Sequence, residues 1–304
     1  MTRMQGLTAG LALAGVLLAG VAGAAVIRGS DGKSDLVPDG KGQAMRQACA
    51  PRVVDLKVAA ATGNGIAYHG GPIITGTAHV YGIWYGNWAG NSAKTILPAF
   101  VNGLSGSPYY NIDTTYGCTN SIAWSGATTD NYSHGTTLTD AAVKAVVSAA
   151  ITSGRLPNDT NGIYFVFTTA DVNESSGFCT AYCGWHNHAA IGGSDIKYSF
   201  VGDPARCPSA CEAIPGNQPN GNPDADAIVY IAAAEINKTV TDPDLNGWYD
   251  SAGAENTDKC MWSLGTLYVT GNGSKANVHL GSHDYLVPEN WVNAGGGYCS
   301  LHYP

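Results

Sequence analysis

The chain has 304 residues, a formal net charge of −8 and only 12% charged residues, against 40 glycines. With no basic cluster to neutralise phosphates, it excludes a nucleic-acid partner. Its length allows one large domain or two small ones, and its polarity rests on Ser, Thr, Asn and Gly, as suits a protein outside the cell.

Residues 1–24 have the layout of a secretory signal peptide: Arg3 near the start, an apolar run from Leu7 to Leu18, and Ala22, Gly23 and Ala24 before the cut. The run is rich in Gly and Ala and lacks a basic stop-transfer flank, so removal rather than anchoring is expected. The mature chain should then be secreted, extracellular or cell-wall-associated, with no membrane contact after signal cleavage. Residues 25–65 are polar, Gly-rich and without a sustained period, and read as a flexible linker or pro-segment. The ordered domain is expected over 66–304.

Within it, residues 77–88 alternate His79, Tyr81, Ile83 and Tyr85 with Val80, Gly82 and Trp84, the pattern of a strand. Residues 91–108 predict a helix capped by Asn91 or Ser92, weakened by Pro98 and stopped by Gly-Ser-Pro. Residues 137–157 carry the clearest helix, with Thr139 as cap, Ala142, Val143, Val146 and Val147 as apolar face, and Gly154 and Pro157 as stop. The continuous apolar run in 162–172 predicts a central buried strand. A strand at 197–203, a helix at 224–240 and a late strand at 263–271 follow. Helices and strands interleave without an internal repeat. The expected fold class is α/β or α+β: a single domain with a mixed β-sheet packed by helices and braced by disulfides, of which the zincin-like arrangement is one form.

Eight cysteines (Cys49, Cys118, Cys179, Cys183, Cys207, Cys211, Cys260 and Cys299) fit export and predict up to four disulfides. Oxidising surroundings disfavour the rival, a four-cysteine zinc site built from the two C-x-x-x-C pairs. The expected pairing joins those two pairs to each other, Cys49 to Cys118, and Cys260 to Cys299. Sequons at Asn131, Asn158, Asn173, Asn237 and Asn272 suit a glycoprotein in a glycosylating host, Asn237 being disfavoured by its place in a helix.

The stretch 232–250, AAAEINKTVTDPDLNGWYD, reads like half of a metal site. A zinc-hydrolase helix needs two ligands one turn apart with a Glu beside the first. Here Glu235 holds the general-base place, but Ala234 has no donor atom and Lys238 repels a cation. Glu235 is therefore the candidate catalytic residue, against the plainer reading of a helix carboxylate. The loop after it follows D-x-D-x-N-G, making Asp242, Asp244, Asn246 and Asp250 candidate calcium ligands. Gly253 stands where the bidentate Glu belongs, with Glu255 and Asp258 nearby, so a plain Asx- and Pro-rich turn is the competing reading. His186 and His188 form a His-x-His pair and are candidate zinc ligands; His69, His279 and His283 join them as further candidates. No G-x-S-x-G elbow or phosphate loop is present. Loop aromatics such as Trp88, Trp185 and Trp248 suit contact with sugars.

The stretches YHGGPIITG, IWYGNW, VFTTADV, GFCTAYCGWH, VGDPARCPSAC, TDPDLNGWYD and YLVP, in that order from Tyr68 onward, resemble the EXORDIUM or phosphate-induced protein family, best known from plants. The paired GFCxxxCGxH and CPxxC blocks carry most of the resemblance. It implies a secreted protein of the cell wall or extracellular space, linked to growth regulation. Microbial relatives carry His-Glu-x-x-Glu in the helix before T-D-P, whereas this chain keeps only Glu235. His186 matches the family histidine after the second cysteine of its block. The expected function is non-catalytic binding of cell-wall polysaccharide or of an extracellular protein, with no certain cofactor. The alternative is a secreted zinc metallohydrolase relative, active or degenerate, built on the helix at 226–240.

Overall fold

The computed structural model describes residues 26–28, 34–41 and 65–304. The signal-peptide expectation, Cys49 and most of the expected linker lie outside the described residues. Among the described residues, no helix is long and apolar enough to cross a membrane.

Five strands form the central sheet: β1 (Ala78–Tyr85), β2 (Ile122–Asp130), β3 (Gly162–Thr168), β4 (Gly184–Ile191) and β5 (Ser194–Val201). Their order is β2-β1-β3-β5-β4. The first four in that order run parallel, and β4 is an antiparallel edge strand. The expected mixed sheet is thus present. Gly192 and Gly193 make the β4–β5 turn with φ of 58° and 84°. Two consecutive left-handed residues give the tight hairpin whose twist matches its strands. All seven residues of β3 are buried, as the unbroken apolar run requires of a strand covered on both faces.

Three long helices pack on this sheet: α1 (Ala93–Leu104), α2 (Asp140–Thr152) and α3 (Pro223–Thr241). The Thr139 hydroxyl accepts from Ala142 N and starts α2 as its sequence dictates. Pro98 lies inside α1, which runs on through it. At the start of α1 the capping contact comes from Asn91 Oδ1, which accepts from Ala93 N at 2.9 Å, not from the Ser92 side chain. Asn222 caps α3 and Pro223 opens it. From Ile228 onward α3 is buried on every side, including Glu235, Asn237, Lys238, Thr239 and Thr241. It packs against α1, β4 and β5, while α2 packs against β3, β4 and β5.

The expected strand at 263–271 shrinks to an exposed two-residue pair, Tyr268–Val269, because no sheet offers its backbone a longer partner. Among the described residues, three disulfides brace the fold: Cys179–Cys207, Cys183–Cys211 and Cys260–Cys299. The expected Cys49–Cys118 pairing falls on Cys49, outside the described residues. Cys118 is a buried free thiol whose Sγ–H donates to Val240 O at 3.1 Å. Asn237 has no exposed surface, whereas Asn131 is exposed.

One buried acid sets a pH dependence. Asp203 is 4% exposed, and burial pushes its carboxyl up to about 7 against a hydrogen bond from Ala205 N. Between about pH 4 and pH 7 the unfolded chain has lost this proton and the folded chain keeps it, so stability falls as pH rises. At ~1.4 kcal/mol per pH unit, the contribution amounts to a few kcal/mol. Asp203→Asn retains the acceptor for Ala205 N. It is expected to leave the denaturation midpoint unchanged at pH 4 and to raise it at pH 8. An equal shift at both pH values would refute the assignment.

Candidate functional site

The C-terminal half of α3 and the inner face of β4 enclose a buried polar cluster. Glu235 and Lys238 lie one helical turn apart, 3% and 2% exposed. Lys238 Nζ is 3.0 Å from Glu235 Oε1 and 3.5 Å from Asp258 Oδ1. His186 on β4 has no exposed surface. Its Nδ1 lies 3.4 Å from Glu235 Oε2, and its Nε2 lies 3.2 Å from Asp242 O and 3.4 Å from Glu255 Oε1. A carbonyl only accepts, so Nε2 carries a hydrogen. Glycine is required beside it: a Cβ at Gly184 would meet Ile231 Cγ2 at 2.6 Å, so a larger residue would push β4 away from α3.

The electrostatics follow from burial and crowding. Burial alone would push the Lys238 ammonium down, but the carboxylates of Asp258, Glu235 and Glu255 outweigh it and hold its pKa well above the ordinary lysine value. Burial pushes the Glu255 carboxyl well up, and Asp242, Asp258 and Glu235 add to the effect against Lys238. Asp242 is raised by burial to about 7, despite hydrogen bonds from the backbone of Gly247 and Asn246. Several carboxyls thus crowd one lysine cation, and burial favours the neutral form of Glu255 and Asp242.

Beside the cluster lies a small cleft of about 20 Å³, lined by Lys41, Tyr182, Glu235, Lys238, Asp258 and Trp262 among others. The structure brings together His186 and Glu235, which the sequence reading named as separate candidates. It adds Lys238, Glu255 and Asp258, which sequence spacing had assigned to no common centre or only to the calcium loop. It does not bring His188 to the same point: His188 Nδ1 lies 2.8 Å from Asp195 Oδ1 and 3.7 Å from Asp244 Oδ1. His188, Asp195 and Asp244 lie close enough to hold a cation, but Lys197 Nζ already sits 2.7 Å from Asp195 Oδ2 and 3.6 Å from Asp244 Oδ1.

The four loop residues separate as well. Asp250 uses its carboxylate on the N–H groups of Ala252 and Ala254 and on Lys259 Nζ. Asp242 Oδ1 accepts from Gly247 N. Buried oxygens without a hydrogen-bond donor remain on Asp242 (Oδ2), Asp244 (Oδ1) and Asn246 (Oδ1). A zinc ion on α3 does not fit the residues present, because Ala234 offers no donor atom and Lys238 puts an ammonium where a second ligand would stand. Of the other histidines, His69 stacks on Tyr249 at 3.6 Å between ring centroids, and His279 pairs with Asp284 at the surface.

The expected aromatic contacts also change. Trp88 and Trp185 are 2% and 1% exposed and belong to the core, correcting the expectation that both face solvent. Trp248 is half-buried and packs against Tyr68, which is 51% exposed, at 5.1 Å between centroids.

Residues 66–281, spanning the sheet, α1 to α3 and the cluster, match the profile described as the phosphate-induced protein 1 conserved region. The chain belongs to the phosphate-induced protein 1 family. It is 32% identical to the protein EXORDIUM-like 3 of Arabidopsis thaliana over 72% of this chain and 74% of that one. Identity with EXORDIUM-like 5 of the same plant is 30%, covering 68% and 66% of the two chains. With the protein PHOSPHATE-INDUCED 1 of Nicotiana tabacum it is 25%, covering 60% and 67%. No solved structure matches. The family's conserved region thus contains every residue of the buried cluster, from His186 to Asp258.

Proposed function

We propose that this family member is a secreted, cell-wall-associated protein that binds wall polymers or extracellular partners in growth regulation and does not catalyse hydrolysis. The observation that carries the reading is the Lys238 ammonium, 3.0 Å from Glu235 Oε1 and 2% exposed. A carboxylate that is to activate water needs the water and an electrophile within reach. Glu235 instead neutralises an internal cation. The pairing suits a scaffold that keeps the general-base residue of a hydrolytic helix and uses it structurally.

Elemental analysis of secreted, never-chelated protein is expected to find zinc far below one equivalent. Stoichiometric zinc, together with chelator-sensitive hydrolysis lost in Glu235→Gln, would replace this reading by the metallohydrolase alternative. For wall-polymer binding, the exposed Tyr68 ring over Trp248 supplies the kind of face on which sugars stack. Tyr68→Ala is expected to weaken retention on isolated wall polysaccharide at least tenfold; unchanged retention would remove that surface from the proposal.

The buried oxygens of Asp242, Asp244 and Asn246 that accept no hydrogen bond support a weak calcium site in the same loop. Lys197 and His188 beside Asp244 would keep its affinity low. Millimolar calcium is expected to raise Tm by a few degrees, and an unmoved Tm would leave the loop as a turn.

A further inference from the structure

Residues 37–41 lie along the open side of β4. Gly40 O accepts from His186 N at 2.9 Å. Gly40 has φ of 74°, and a Cβ there would lie 2.0 Å from His186 O, so the approach needs glycine. Lys41 then reaches into a pocket. Its Nζ donates to Asp140 Oδ2 at 2.8 Å and to Ser176 Oγ at 2.7 Å, and lies 5.3 Å and 6.0 Å from the ring centroids of Tyr182 and Trp185. Such rings add cation–π attraction to the ion pair.

Four separate parts of the chain build this pocket. Asp140 comes from the first turn of α2, and Glu174 and Ser176 from the segment paired with Thr137–Leu138. Tyr182 sits in the loop pinned by two disulfides, and Trp185 on β4. Glu174 is 1% exposed. Its Oε2 accepts from the Tyr182 hydroxyl and from Ser176 N, while its Oε1 has no hydrogen-bond partner. Ser176 Oγ donates to Asp140 Oδ1 at 2.5 Å, linking the two acids. Among the described residues, Lys41 is the one cation ion-paired with this network. The Glu174 carboxyl is buried while the Asp140 side chain is 46% exposed, so a basic group on Asp140 and Ser176 offsets the crowding of the two acids whichever chain supplies it.

We propose that the open edge of β4 and the Asp140–Glu174–Ser176 pocket form a docking site for an extended peptide bearing Gly-Lys, filled here by the chain's own residues 37–41. The grip consists of a backbone hydrogen bond to an edge strand and a lysine in an acidic, aromatic pocket. Any extended chain with Gly-Lys in that register reproduces both. Lys41 also lines the cleft beside Glu235 and Lys238, next to the buried cluster. The proposal names a partner class for the binding role above, and rests on that role for its use, not for its geometry.

The test uses the full chain, wild type and Lys41→Ala, with a fluorescent, C-terminally amidated peptide of residues 34–41 (SDLVPDGK). A second preparation is the wild-type chain with a specific protease site placed between residues 45 and 60 and cut after folding. The expected result is anisotropy rising at least tenfold earlier with Lys41→Ala and with the cut chain than with intact wild type. A Lys41→Ala peptide should bind at least tenfold more weakly than its parent to both. Equal binding to all three proteins, equal binding of the two peptides, or no binding to either altered chain overturns the proposal. Hydrolysis of the bound peptide would keep this site and discard the non-catalytic reading, so the two failures are distinguishable.

Discussion

Lys238→Met is expected to destabilise the protein by about 3–5 kcal/mol at neutral pH, the scale of breaking a buried charge group by removing one partner. Methionine keeps the length and apolar stem of lysine, so packing along α3 changes little and the loss isolates the ammonium. What remains is Glu235, Asp258 and Glu255 facing one another with His186 as their other basic neighbour. The loss should shrink in acid, where the carboxyls take up protons and need no counter-charge. Burial and neighbouring acids already push Glu255 in that direction. Denaturant midpoints at pH 7 and pH 4 measure both effects. A loss under 1 kcal/mol at pH 7, or one that does not shrink at pH 4, would mean that Lys238 is not the charge that holds the cluster together. The double variant Lys238→Met/Glu235→Gln should recover part of the loss, since it removes one of the stranded carboxylates; simple additivity would separate the two residues.

Removing the inner disulfide is expected to have an effect of similar size. Cys183–Cys211 closes a loop with a sequence separation of 28, for which chain entropy alone gives about 3–4 kcal/mol. Both half-cystines are buried, at 5% and 0% exposure, so Cys183→Ala/Cys211→Ala also leaves a small void. The outer bridge, Cys179–Cys207, spans nearly the same residues and will restrain much of the same loop, so deleting both should cost less than twice one. Calorimetry of the single-bridge and double-bridge variants tests this, and a strictly additive pair of losses would rule out a shared restraint. The Lys41 pocket reports independently. Tyr182 is adjacent to Cys183, so the inner-bridge variant should also weaken docking of the 34–41 peptide.

Much of the fold was legible because its central elements obey simple periodicities. Thr139 before an apolar-faced helix, and the apolar run that became β3, each admit one reading. Strand β2 was missed because it lies at a sheet edge and alternates half-exposed small residues with Thr and Ser, leaving almost no hydrophobic signal. The hairpin of β4 and β5 was read only in part, since His186, Asn187 and His188 look like surface chemistry until β4 is seen against α3. Glu235 and His186 could each be named as candidates from the sequence, but not as a pair. Lys238 was legible only as a defect in a metal pattern, and Glu255 and Asp258 only as neighbours of a loop. Their convergence is a tertiary fact that no spacing along the chain encodes. The Lys41 pocket left no trace at all: Asp140 looks like a helix-start acid, and Glu174 like an ordinary loop residue, until the fold buries one beside the other.

Cys118 has a consequence for the order of events during folding. Its thiol donates to Val240 O near the end of α3 and is 6% exposed. Burial, with Asp113 adding to it, pushes its pKa far above the usual thiol range, so the native protein holds almost no thiolate there. Thiol–disulfide exchange runs through the thiolate. A chain whose α3 has docked is therefore protected from attack by the Cys118 thiol, while one still open can shuffle Cys118 into the bridges described above. Closing α3 over Cys118 is expected to slow exchange of its thiol with those bridges. Cys118→Ser should accordingly raise the yield of correctly bridged protein when oxidation is fast, and change it little when oxidation is slow.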